Sequence, residues 1–166
     1  MPNLLDYIAW RGDLTLSQDA LNENDELILS QLAYVAFGDF IPGLDAHGEH
    51  VKLHDAVSWL LEHDPEAEKI HQTGFMWKDN LALLKALRES RRFGGIELSG
   101  YVDSVSSEDE KQCAAMTVSL GDGSTLVVYR GTDDSLVGWK EDLNMAFECP
   151  VPAQLEAGRY LEQMAE

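Results

Sequence analysis

At 166 residues, with 45% apolar and 25% charged side chains, the chain has the make-up of one soluble globular domain and is too apolar for whole-chain disorder. Thirty acidic residues against twelve basic ones give a formal charge of -18, a field that repels nucleic acid and anionic membrane and turns any partner towards neutral or cationic chemistry. Two cysteines without paired spacing, Cys113 and Cys149, suit a reducing compartment. The opening MPNLLDYIAW has no basic leader, and no apolar run reaches spanning length, so a cytoplasmic protein without a membrane span is expected.

Up to Gly94–Gly95 every periodic segment is helical. Leu4, Leu5, Ile8 and Ala9 share one face, and Gly12 stops the pattern. NENDE then offers Asn22 or Asn24 as a cap and acids for the positive helix end, ahead of Leu27, Ile28, Leu32 and Val35. Leu53, Ala56, Val57 and Leu60 predict a third helix, which HDP ends because the residue before Pro65 is pushed out of helical geometry. Trp77, Leu81, Leu84 and Leu87 mark a fourth, with Arg88, Arg91 and Arg92 at its negative end.

After Gly95 the period changes to two. Ile96, Leu98, Gly100 and Val102 alternate with polar residues, and Ala114, Met116, Val118 and Leu120 repeat the pattern, which predicts two antiparallel strands with one wet face. LGDGST supplies a tight turn, so Thr125–Arg130 folds back as a third strand, expected to be the most buried because Val127, Val128 and Tyr129 run apolar without alternation. A loop, a short helix around Trp139 and a helix-like segment from Ala153 follow. A three-stranded sheet whose most apolar strand has no successor to pair with is incomplete. That predicts a homo-oligomer, or a longer protein, that covers the edge.

The run VVYRGTDDSLVGWKEDL, where an apolar strand switches to Arg130, Gly131, Thr132, Asp133 and Asp134, carries a resemblance. It resembles the segment of class 3 (fungal-type) lipases in which an Arg-Gly-Thr/Ser turn leaves a central strand and a Trp-x-x-Asp lies just beyond, here Trp139 and Asp142. With LLDYIAWRGDLTL and ENDELILSQLAYV, the chain is similar to the uncharacterised bacterial domain of unknown function 2974, placed among the α/β-hydrolases. The resemblance implies a lipase- or esterase-type serine hydrolase acting on an ester or acyl substrate. Gly131, Thr132 and Asp133 would form its oxyanion loop, Arg130 and Asp142 would support it, and Leu136, Val137 and Trp139 would be the lid. No G-x-S-x-G elbow occurs in these residues, so the chain corresponds to the front half of such an enzyme and is expected to be inactive alone. No cofactor is implied.

The competing class is a non-catalytic binding or interaction module, in which RGTDD is a solvated turn and Trp139 a packing residue. His47, His50 and His54 stand at spacings of three and four, which one helical face could turn towards a zinc ion. Gly48 interrupts them and H-E-x-x-H is absent, so a solvated helix start is the simpler reading. The expected fold is α/β: a helical segment over 1–93, then over 94–166 a small mixed sheet, the loop and lid, and a C-terminal helix, the front half of an α/β-hydrolase-like domain.

Overall fold

The computed structural model describes residues 3–63, 77–106, 108, 111–131 and 136–165. The first helix, α1 (Leu4–Arg11), starts from a reciprocal cap: Asn3 accepts from the Asp6 amide and Asp6 accepts from the Asn3 amide. The second, α2 (Glu23–Ser30), repeats the device with Asn22 and Asp25, so Asn22 is the cap. The apolar pattern through Leu32 continues as a 3-10 turn over Gln31–Tyr34. After a two-residue strand, β1 (Val51–Lys52), come α3 (Leu53–His63) and α4 (Trp77–Glu89). Pro65, expected to end α3, lies outside the described residues.

The sheet follows as β2 (Glu97–Ser106), β3 (Lys111–Ser119) and β4 (Thr125–Tyr129), in the order β1-β2-β3-β4. Two helices close the chain, α5 (Leu136–Asn144) and α6 (Pro152–Met164). All three pairings between these strands are antiparallel, so the expected mixed sheet is corrected. Among the described residues parallel geometry appears only as an isolated bridge between Gly43 and Tyr101. The molecule is therefore an α/β protein with helices packed on an antiparallel sheet.

The expected burial order is also corrected. β4 lies at an edge with a single fully buried residue, Val128, whereas β3 is buried from Gln112 to Val118. The cause is coverage on both faces. Leu98, Met116, Val118 and Val128 join the core made with Ile28, Leu32, Leu53, Leu60, Leu84 and Leu87 of the helical layer. The other face of β3, expected to be wet, carries Cys113, Ala115 and Thr117 under α6, where Tyr160 is also buried. Small side chains there let a helix pack close, and an alternation of large and small residues looks the same in sequence as one of buried and solvated residues.

A bulge fits this second interface together. Gly100, at φ +62°, sits where the β2–β3 register shifts between Ser99 and Val102. The Tyr160 hydroxyl donates to its carbonyl at 2.9 Å, and the Tyr129 hydroxyl donates to the Ala157 carbonyl at 2.9 Å. Lys111 and Glu156 add an ion pair between β3 and α6. Among the described residues no helix is long and apolar enough to cross a membrane.

Candidate functional site

The chain leaves the sheet at Arg130, whose amide donates to the Ala114 carbonyl at 2.8 Å and extends the β3–β4 ladder by one rung. Ala114 also pairs with Asp103 on the far side of β3. Asp103, Ala114 and Arg130 therefore form one row across three strands, and the small central residue lets the two long side chains meet above it. Arg130 Nη2 donates to Asp103 Oδ1 at 2.8 Å and Nη1 to Oδ2 at 3.3 Å, a two-pronged pair with Arg130 largely shielded. Arg130 Nε is buried without an acceptor among the described residues. The pair fixes the strand exit through the distant Asp103; Asp133 and Asp134 lie outside the described residues.

Gly131 follows, and its amide donates to the Tyr34 hydroxyl at 3.3 Å. A Cβ at this position would stand 3.1 Å from that hydroxyl, so glycine permits the close approach. Behind Tyr34, Tyr101 donates to the Val35 carbonyl at 3.3 Å and packs edge-on against Phe37. Burial, then the Asp103 charge, push the Tyr101 phenol up to about 12. A cavity of about 500 Å³ opens beside Tyr101 and Asp103, with Asp39 and Asp45 on its wall.

The remaining expected site residues are spread more widely. Thr132 and Asp133 lie outside the described residues. Leu136 begins α5, Val137 is half-buried, and Trp139 is 61% exposed. Asp142 is on the exposed side of α5, while the adjacent Glu141 is buried and does structural work. Glu141 accepts from the Gln112 amide at 3.1 Å and from the Ala153 amide at 3.2 Å, tying α5 to β3 and to the first turn of α6. Nothing in WKED separates Glu141 from Asp142, since burial on a short helix depends on what it docks against.

His47 and His50 are exposed in the turn before β1, and His54 is at the start of α3, so the three do not share the one helical face that a zinc site at this spacing would need. His54 Nδ1 is 3.0 Å from Asp55 Oδ1. Among the described residues no group of three His, Cys, Asp or Glu side chains is placed to hold a metal ion. Cys113 is buried, and desolvation followed by the Glu156 charge pushes its thiol up to about 11, so at neutral pH it is a thiol and a poor nucleophile.

With this geometry defined, the comparison with known families becomes specific. Residues 87–166 match the Mbeg1-like family. The match runs from the last turn of α4 through the sheet and both closing helices. It corrects the family expected from the sequence: what matches is Mbeg1-like, and neither domain of unknown function 2974 nor a lipase family. Comparison with curated proteins and with solved structures finds no match. The strand exit, Glu141 and the Tyr160 interface all lie inside the Mbeg1-like segment. Tyr34 and Asp25 lie outside it.

Proposed function

We propose that the chain supplies the strand-exit loop and covering helix of a carboxylic-ester hydrolase with an α/β-hydrolase-like fold, the nucleophile coming from outside these residues. The observation that carries the reading is the braced exit from β4. Arg130 is clamped to Asp103, and Gly131 presents its amide to an oxygen, the Tyr34 hydroxyl, at 3.3 Å. Acyl transfer needs amides held ready for a developing oxyanion, each contributing about 2.7–4 kcal/mol to the barrier reduction. The next residue, Thr132, is the proposed donor, with Gly131 permitting the close approach and Asp142 in support, and α5 with Trp139 is the proposed lid. Unpaired Cys113 and Cys149 are in keeping with a cytoplasmic setting.

The test is labelling of the native gene product with a fluorophosphonate, together with hydrolysis of p-nitrophenyl butyrate. Both are expected, with the labelled serine outside residues 1–166 and no turnover by the 166-residue chain alone. A native product that neither labels nor turns over overturns the proposal.

A second reading, an interaction module, is favoured by one specific observation. Trp139, Leu143 and Phe147 recur at four-residue spacing and are 61%, 68% and 92% exposed. The β4 edge is the second surface of that reading, and pairing of two copies along it is the proposed route to the homo-oligomer. Light scattering decides it: a dimer that strengthens as salt screens the -18 charge is expected, and a monomer at every salt concentration removes the route.

A further inference from the structure

β3 and β4 run antiparallel, so the Ser119–Thr125 end of the sheet is the far end from Gly131. A cavity of about 440 Å³ opens there, between the 15–21 loop, the turn after α4 and the β3–β4 hairpin. Its volume suits a small ligand. The loop wall is held from within. Arg92 donates to the carbonyls of Asp19 at 2.8 Å and Ala20 at 3.1 Å, with its Nε on Asp25 at 2.7 Å. That guanidinium is fully committed and its charge is cancelled by Asp25.

The charges left on the cavity wall are of both signs. Arg91 is exposed and has no carboxylate partner among the described residues, and neither does Glu97 have a cation. Asp122 is already occupied by the Ser124 amide at 2.8 Å and the Ser124 hydroxyl. Leu16, Leu21, Ile96 and Leu120 supply an apolar lining between them. A purely anionic ligand would meet Glu97, Asp122 and a chain of charge -18, and a purely cationic one would meet Arg91. A ligand carrying both charges satisfies both groups and has no net charge to be repelled.

We propose that this cavity binds a small zwitterion of the apolar α-amino acid class, its carboxylate at Arg91, its ammonium at Glu97 and its side chain on the leucine and isoleucine lining. The site is separate from the strand exit, and its test does not depend on hydrolysis.

Calorimetric titration of the 166-residue chain with L-leucine, N-acetyl-L-leucine and L-leucinamide is the experiment. Saturable one-site binding of L-leucine is expected, with each singly charged analogue at least about tenfold weaker because it leaves one charged group unpaired. Arg91→Gln should weaken L-leucine by a similar factor and leave L-leucinamide unchanged, and Glu97→Gln should do the converse with N-acetyl-L-leucine. Gly95→Phe should weaken binding, since Gly95 lines the cavity and a Cβ there meets no atom within 4 Å, leaving room for a larger side chain beside the ligand. Circular dichroism melting checks that each variant is folded. Absence of L-leucine binding by the folded chain, equal binding of N-acetyl-L-leucine, or binding undiminished in folded Gly95→Phe overturns the proposal.

Discussion

Arg92 and Asp25 are both sealed from solvent, and a buried charge is tolerable only when its partner and the remaining donors are in place. Tyr7 completes the set by donating to Asp25 Oδ1 at 3.0 Å while accepting from Asn22 Nδ2 at 2.8 Å. Arg92→Ala leaves a buried carboxylate and is expected to cost about 3–5 kcal/mol in urea unfolding. Arg91→Ala, one residue earlier and exposed, should stay within about 0.5 kcal/mol. Equal losses for the two would show that helix charge, and not burial, sets the value. Two other residues predict the alkaline response. Burial raises Cys113 from its ordinary 9.0 to about 11 and Tyr101 from 10.0 to about 12. The unfolded chain releases these protons first and binds fewer in that window, so stability falls as pH rises above about 9. Urea midpoints between pH 7 and 11 should decline, and Cys113→Ala should flatten the earlier part of the slope. A midpoint independent of pH would refute the burial of both groups.

At the scale of elements, β3 is held by helices on both faces, and the α6 face depends on a few contacts that can be removed one at a time. Gly100→Ala forces a side chain into φ +62° and sets its Cβ 3.0 Å from the Tyr160 hydroxyl, so a loss of about 1–3 kcal/mol is expected. Tyr160→Phe removes the hydroxyl and its bond to the Gly100 carbonyl but introduces no backbone strain, so a loss of about 1 kcal/mol is expected. A smaller effect for Gly100→Ala than for Tyr160→Phe would mean that the bulge relaxes freely. Glu141→Ala removes the acceptor shared by Gln112 and Ala153, and hydrogen exchange at those two amides should quicken together. Acceleration at one amide alone would show that α5 and α6 are not coupled through this carboxylate.

For the whole molecule, the Mbeg1-like match covers residues 87–166, but the core does not divide there. Leu98, Met116, Val118 and Val128 lie against Ile28, Leu32, Leu53, Leu60 and Leu84, all contributed by residues before the match. A fragment of residues 87–166 alone would expose that sheet face, and it is expected to show no cooperative urea transition, whereas the 166-residue chain shows one. A fragment that unfolds cooperatively with a slope in proportion to its length would make the helical layer an accessory.

Local rules made much of this chain legible in its sequence. The cap signal at Asn22 or Asn24, the apolar faces of α3 and α4, and the change of period after Gly95 are short-range signals, so these helices and the three long strands emerge from spacing. What covers a strand is a different kind of fact. Which of β3 and β4 is central, that Cys113, Ala115 and Thr117 lie under a helix, and that Glu141 and not Asp142 is buried depend on partners many residues away. The same holds for Arg92, which reads as a helix-end charge until Asp25, 67 positions earlier, is brought against it. The strand exit divides along this line: Arg130–Gly131 stands out as a motif, but its bracing by Asp103 and Tyr34 exists only because the sheet and the helical layer fold together.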